Sequence, residues 1–351
     1  MFKVNTCFAI LFASIVFSSN CSNKKCILPE PAVAAASAKD TLIYSDYSNT
    51  NFPSLVSVDF KNPLYGFIGG VNGFISKTSN GGTIWNDVSV PTSGDIYGLN
   101  FFDSNLGFAG SNNGDVFKTI DGGSNWIKVT TPNPIYGYGE FQFFDANTIL
   151  AAGGSSTTTG AMMKSIDGGT TWTDVTIPGS STIYDFEFLN DIIGFSCGTN
   201  NEIYKTIDGG STWTKKTINL NILPSNLILL TKIKFSDSNN GYCVGYSSFH
   251  AENYILKTFD GGETWNQIPS PANTAALADA YTSIYYNANK QPFIVGGNIA
   301  NNTPTLITST DGGNTWDHVS TPATHRLFES AYLDGKAFVV GLNGTFMKSS
   351  N

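Results

Sequence analysis

The chain has 351 residues and a formal net charge of −8, from 19 basic and 27 acidic side chains. Surfaces that bind nucleic acid are strongly basic, so this balance excludes a conventional DNA- or RNA-binding protein. Arg326 is the single arginine of the sequence, which leaves little capacity for bidentate recognition of anionic ligands.

The N-terminus is typical of an exported protein. Lys3 precedes an apolar run from Cys7 to Phe17, which is too short to span a bilayer and fits a secretion signal. Cys21, in FSSNCSNKKC, resembles the acylated cysteine of bacterial lipoproteins, and the following residues suit a flexible tether. The alternative is simple secretion with a free Cys21. We therefore predict an extracytoplasmic, membrane-anchored protein organised as a signal peptide (1–20), a tether (21–39) and one folded domain (40–351).

A hairpin phrase such as TIDGGSNW recurs six times, once every 41 to 52 residues. The acidic residue can accept hydrogen bonds from its own turn, the two glycines allow positive φ, and the tryptophan returns as an apolar anchor. Asn can replace Asp in the first copy because it shares this turn chemistry. The predicted structural residues are Asn80, Trp85, Asp121, Trp126, Asp167, Trp172, Asp208, Trp213, Asp260, Trp265, Asp311 and Trp316.

Each unit also carries an alternating strand, a glycine-bounded apolar run and a third strand ending in Lys-Thr or a variant. A last copy without the hairpin phrase brings the units to seven, which predicts an all-β, seven-bladed propeller of four-stranded antiparallel blades. Residues 41–47 are predicted to pair with 345–348 and close the ring. The first strands align on an aromatic column, read as Phe60, Phe101, Phe143, Phe188, Phe235, Tyr285 and Tyr332.

Polar residues of the first strands are predicted to face the central channel: Asp59, Asn100, Glu140, Gln142, Asp185, Glu187, Lys232 and Lys234. Two interpretations remain open. The carboxylates are either solvated and paired with Lys232 and Lys234, or Glu140, Asp185 and Glu187 include a pair spaced for glycoside hydrolysis.

The face opposite the hairpins varies from unit to unit, so we expect binding there. Aromatic residues and arginine are the types enriched in binding hot spots. The candidates are Tyr97, Tyr136, Tyr138, Tyr184, His250, Glu252, His325 and Arg326.

Scattered histidines and the absence of a CxxC pair from the sequence predict no metal site and no cofactor. Cys197 and Cys243 are expected to be buried free thiols that point to opposite faces of adjacent units.

The phrase resembles the Asp-box (BNR) hairpin of β-propellers. Its K-T-x-D-G-G-x-T-W form is similar to that of the photosystem II stability and assembly factors, a likeness that covers 40–351. This implies a non-catalytic scaffold near a membrane with a protein partner, and we expect a monomer. The family uses an arginine-rich surface patch to engage its partners, and this sequence, with Arg326 alone, lacks that patch. Sialidases share the box but clamp their substrate with three arginines, which disfavours sialidase activity. A glycan-binding module and a glycoside hydrolase remain the alternatives.

Overall fold

The computed structural model describes residues 42–155, 159–220, 227–247, 252–271 and 279–350. Within these ranges the secondary structure is almost entirely β, with one 3-10 turn, η1, at Leu342–Gly344. No helix among the described residues is long and apolar enough to cross a membrane. The predicted signal peptide, tether and Cys21 lie outside the described residues.

The strands form seven sheets, here called blades 1 to 7. Blade 7 begins with the N-terminal strand β1 (Tyr44–Asp46). Blade 1 holds β2 (Leu55–Phe60), β3 (Gly66–Gly70), β4 (Ile75–Thr78) and β5 (Asn86–Asp87). Blade 2 holds β6 (Ile96–Phe101), β7 (Gly107–Ser111), β8 (Val116–Thr119) and β9 (Ile127–Val129). Blade 3 holds β10 (Gly137–Phe143), β11 (Ile149–Ser155), β12 (Thr159–Ser165) and β13 (Thr173–Asp174). Blade 4 holds β14 (Ile183–Phe188), β15 (Gly194–Gly198), β16 (Ile203–Thr206) and β17 (Thr214–Lys215).

Blade 5 has five strands, because β18 adds to its outer edge in parallel with β22. Its strands are β18 (Thr217–Asn219), β19 (Leu229–Phe235), β20 (Gly241–Ser247), β21 (Glu252–Thr258) and β22 (Thr264–Ile268). Blade 6 holds β23 (Asp279–Tyr286), β24 (Pro292–Asn298), β25 (Pro304–Thr308) and β26 (Asp317–His318). Blade 7 is completed by β27 (Leu327–Leu333), β28 (Lys336–Gly341) and β29 (Phe346–Ser349).

The first strands of successive blades contact one another, and β27 contacts β2, so the blades form a closed ring. The N-terminal strand closes this ring as predicted: β1 pairs antiparallel with β29 and is the outermost strand of blade 7. Leu42 and Tyr44 are buried in the core that blade 7 shares with blade 6. The seven-bladed propeller predicted from the repeats is therefore confirmed.

The Asp-box hairpins have the predicted turn chemistry. In blade 2, the Thr119 hydroxyl donates to Asp121 Oδ1 at 2.9 Å and accepts from the Gly123 amide at 2.8 Å. Asp121 Oδ1 also accepts from the Asn125 amide at 2.8 Å, and both glycines of the box have positive φ. Asn80 makes the corresponding contacts with Thr78 and with the Ile84 amide in blade 1, so the substitution preserves the turn.

A lysine bridge joins five of the six hairpins to the preceding blade, which sequence reasoning missed. The third-strand lysine of one blade donates to a glycine carbonyl in the next box: Lys77 to Gly122, Lys164 to Gly209, Lys205 to Gly261, Lys257 to Gly312 and Lys348 to Gly81. Blade 7 has no box, and the residue that would bridge to it from blade 6 is Thr308. The lysine of the Lys-Thr pattern therefore has a role in blade-to-blade packing.

Replacing Lys205 by Met tests this bridge. Lys205 Nζ donates to the Gly261 carbonyl at 2.7 Å and pairs with Glu263 at 2.6 Å. We expect the free energy of unfolding to fall by about 1.5–3 kcal/mol, since hydrogen bonds from charged donors contribute that much. As the control, Lys128→Met removes the ion pair of a 63%-exposed lysine with Asp115 within blade 2 and should cost less than about 1 kcal/mol. Equal losses in chemical denaturation would refute a specific role for the bridge.

The aromatic column requires one correction, in blade 6. Phe60 pairs with Gly66 and Phe235 pairs with Gly241, whereas it is Tyr286, not Tyr285, that pairs with the corresponding Pro292. A connection of five residues separates the first and second strands in blades 1 and 6 alike, and this length sets the register. Tyr285 instead takes the place that Asp59 occupies in blade 1.

The two described cysteines are free and buried, as predicted. Their strand positions are one register apart, so they lie on opposite faces of their blades as expected, and such faces of neighbouring blades are the ones that meet. Cys197 and Cys243 belong to one core cluster between blades 4 and 5. Burial, and then the neighbouring Cys243 thiol, raise the pKa of Cys197 well above its usual value.

Candidate functional site at the central channel and its mouth

Each first strand contains a β-bulge. The seven residues that directly follow these bulges form a ring around the channel. A bulge lets the side chains on either side of it depart from simple alternation. The ring consists of Ser57, Gly98, Glu140, Asp185, Lys232, Ser283 and Glu329.

Lys232 is the centre of this ring. Its Nζ lies 3.1 Å from Asp185 Oδ1, 3.3 Å from Glu329 Oε2 and 3.5 Å from Glu140 Oε2. Burial disfavours the charge on Lys232, but the three carboxylates outweigh burial and raise its pKa well above the usual value. Three carboxylates thus share one ammonium group, and Glu329 was missed from the sequence although it stands three residues before Tyr332, as Glu140 stands three before Phe143.

The charged form of Glu140 is disfavoured in this cluster. Burial raises its pKa to about 7, against the favourable influence of Lys232 and with a further unfavourable one from Asp185. Nearby, Lys234 pairs with Glu187 at 3.4 Å. Glu140 and Asp185 thus share Lys232, and Glu187 pairs with Lys234, so each of the three carboxylates forms an ion pair with lysine.

The polar channel residues also satisfy backbone amides of the next blade. Asp59 accepts from the Phe101 amide at 2.8 Å, Asn100 from the Phe141 amide at 3.3 Å and Asp185 from the Ile233 amide at 2.8 Å. Each first strand is the inner edge of its blade. The backbone amides on its channel side therefore have no partner strand and need other hydrogen-bond acceptors. Gln142 differs, since its amide donates to the adjacent Phe143 carbonyl. These contacts give the channel carboxylates a role in joining the blades.

A cavity of about 300 Å³ occupies the channel. Its lining includes Glu140, Lys232, Glu329 and Lys234, with Tyr97 at the end opposite the boxes. The residues at the bulges themselves include Tyr97, Tyr184 and Phe328. These positions place aromatic side chains where the channel opens.

The mouth cluster is defined here as Tyr97, Tyr184, Tyr246, Arg326 and Phe328. The Arg326 guanidinium carbon lies 4.6 Å from the centre of the Phe328 ring. Burial raises the pKa of Tyr97, with opposing influences from Tyr246 and Arg326, and raises that of Tyr184 to about 12, with smaller contributions from Tyr246 and Tyr97. The bulge positions and these electrostatic influences place side chains from blades 2, 4, 5 and 7 near one another at the opening.

The predicted binding residues differ in how far their side chains are exposed to solvent. Tyr97 and Tyr184 are 49% and 37% exposed, so they are available to a ligand. Tyr138 is fully buried, which makes its assignment as a surface binding residue wrong: it precedes the bulge and packs in the core, and Tyr136 packs against the same cluster.

The other two described candidates, Glu252 and His325, make local hydrogen bonds. Glu252 is exposed and accepts a hydrogen bond from the Tyr254 hydroxyl. His325 Nδ1 is 3.0 Å from the Thr324 hydroxyl. His250 lies outside the described residues. Tyr246 and Phe328 were missed, and Tyr246 could have been found as the tyrosine near the end of the second strand of blade 5.

Comparison with known proteins gives one family match. Residues 169–272 and 222–321 match the family model described as photosynthesis system II assembly factor YCF48. This confirms the resemblance predicted from the Asp-boxes. No curated protein sequence matches the chain.

Solved structures show the same fold. A structure of YCF48 bound to D1 peptide has a TM-score of 0.70 and 16% identity, covering 92% of this chain and 100% of that one. YCF48 from Cyanidioschyzon merolae gives 0.65 and 16%, covering 87% and 98%. A xyloglucanase from Xanthomonas campestris gives 0.65 and 13%, covering 87% of this chain and 53% of that one. At these identities the likeness concerns the fold alone, shared by binding proteins and enzymes.

Proposed function

We propose that this protein is a non-catalytic assembly scaffold that holds a peptide segment of a partner protein at the channel mouth. The proposal rests on a difference between the interior of the channel and its mouth. Its carboxylates are engaged by Lys232, Lys234 and the amides of the next blade, whereas Tyr97 and Tyr184 at the mouth are substantially exposed. Exposed aromatic side chains beside an arginine are the composition of a binding hot spot.

The family match supports a protein partner. The matched family is an assembly factor, and a related propeller has been solved with a D1 peptide. The mouth here presents side chains from four different blades, so an asymmetric segment can be distinguished by its sequence. A peptide that enters the mouth would meet tyrosine hydroxyls and rings first and the Lys232 cluster beneath them.

The mouth proposal predicts a selective loss of binding. Tyr97→Ala, Tyr184→Ala and Arg326→Ala combined should weaken capture of partner peptides at least about tenfold, because hot-spot truncations cost 2 kcal/mol or more each. Peptides tiled from membrane proteins of the source organism provide the probe array. Ile127→Ala, at an exposed outer strand, is the control and should bind as wild type. Equal binding by the triple variant would contradict the proposal.

We also propose that the scaffold acts outside the cytoplasm, tethered by a lipid at Cys21. The support is the apolar run from Cys7 to Phe17 followed by the lipoprotein-like cysteine. Detergent phase partitioning of full-length protein should place wild type in the detergent phase and Cys21→Ser in the aqueous phase. An unchanged distribution would contradict the anchor.

A further inference from the structure

The box face exposes an apolar arc that the channel and its mouth do not use. Its members stand between the hydroxyl residue and the aspartate of four consecutive boxes: Ile120, Ile166, Ile207 and Phe259. They are 66%, 75%, 68% and 59% exposed. Boxes 1 and 6 have Ser79 and Thr310 at the same position, so the arc is confined to blades 2 to 5.

Lysines from the third strands lie between neighbouring boxes of the arc. Lys164 bridges the boxes of blades 3 and 4, and Lys205 bridges those of blades 4 and 5. Lys118 Nζ lies 3.9 Å from the position a Cβ would take at Gly168, next to the box of blade 3. Ile192, 57% exposed, widens the arc in blade 4, where its carbonyl accepts from the Gly209 amide at 2.9 Å.

Each of the four box residues of the arc is followed directly by an exposed aspartate. Hydrogen bonds from the Thr171 side chain and amide lower the pKa of Asp167 to about 2, and equivalent contacts lower those of Asp121 and Asp208. These carboxylates therefore stay charged at any physiological pH. The box face thus places fixed negative charge beside exposed hydrocarbon in four blades, whereas the lysines between the boxes are engaged by glycine carbonyls and, at Lys205, also by Glu263.

We infer that this arc binds a cationic amphipathic protein segment, with apolar side chains on the isoleucines and lysine or arginine on the box aspartates. Charge complementarity selects this occupant, since opposite charges align and steer partners. The same aspartates disfavour an anionic bilayer, because their charge would be repelled by its surface. The arc lies on the face opposite the mouth, so one ring could hold two partners at once.

A designed probe tests the arc directly. Full-length protein is titrated with an amphipathic helix-forming peptide of leucine and lysine, and separately with its leucine and glutamate counterpart. We expect saturable binding of the lysine peptide only. Ile166→Ser with Ile207→Ser should weaken it at least about tenfold. Ile135→Ser with Ile299→Ser, which alters exposed isoleucines elsewhere, should leave it unchanged.

Charge is tested without loss of the turn by Asp167→Asn with Asp208→Asn, since Asn80 performs the same turn role in box 1. This variant should bind the lysine peptide several-fold more weakly and with reduced salt dependence. The inference is overturned if the glutamate peptide binds equally, if the two isoleucine variants behave alike, or if anionic phosphatidylglycerol vesicles bind the arc and the lysine peptide does not.

Discussion

A chain that begins at Ser48 should be far less stable than one that begins at Asp40. The deleted segment contains Leu42 and Tyr44, both buried between blades 6 and 7. Burying two such side chains contributes about 3–6 kcal/mol, at 1.5–3 kcal/mol each. The deletion also exposes the edge of β29, which β1 covers, and exposed edges promote aggregation.

Chemical denaturation and light scattering of the two chains measure this effect. The chain from Asp40 serves as the control. It lacks only the predicted signal peptide and tether, so its unfolding midpoint should match that of a chain that starts at residue 22. If the chain from Ser48 has the same midpoint and m-value as the chain from Asp40, the N-terminal strand does not close the ring.

Lys232→Met should destabilise the propeller by about 3–5 kcal/mol at pH 8, the usual effect of removing one partner from a buried ion pair. The variant leaves Asp185, Glu140 and Glu329 without their shared cation. Lys128→Met removes the ion pair of an exposed lysine with the half-buried Asp115 and should cost less than about 1 kcal/mol.

The Lys232→Met defect should shrink as the pH falls. The folded-state pKa of Glu140 is already raised to about 7 in the wild type. An acid whose pKa is higher in the folded state binds more protons there, so its contribution to stability falls as pH rises from about 4.5 to about 7. Without Lys232 the carboxylates should take up protons more readily still. Unfolding curves at pH 5 and pH 8 measure the difference, and a defect independent of pH would show that lost packing, not charge, is responsible.

The fold could be predicted from the sequence because the sequence repeats. The Asp-box hairpins fix one turn in six blades, and the short unit after the last box requires a strand from elsewhere, which residues 44–46 supply. Both predictions followed from residue patterns within single repeat units. The lysine bridges were missed because their acceptors are backbone carbonyls of another blade, although Thr308 standing before the blade without a box was a usable signal.

The site was less predictable because the bulges alter which side chains reach the channel. Tyr138 and Tyr97 are both tyrosines near the start of a first strand, yet Tyr138 precedes its bulge and is buried, whereas Tyr97 is the bulged residue and is exposed. Simple alternation cannot separate them. The convergence of Tyr246 and Arg326 depends on the curvature of the ring, which no single repeat encodes.

Site-specific photo-crosslinking in the native cell tests the central claim most directly. A photoreactive phenylalanine is placed at position 97 in the mouth or at position 127 on the outer edge, and crosslinked peptides are identified by mass spectrometry. The account predicts one recurrent protein segment crosslinked from position 97 and absent from position 127. Crosslinks of equal yield and identity at both positions, or glycan alone at position 97, would contradict it.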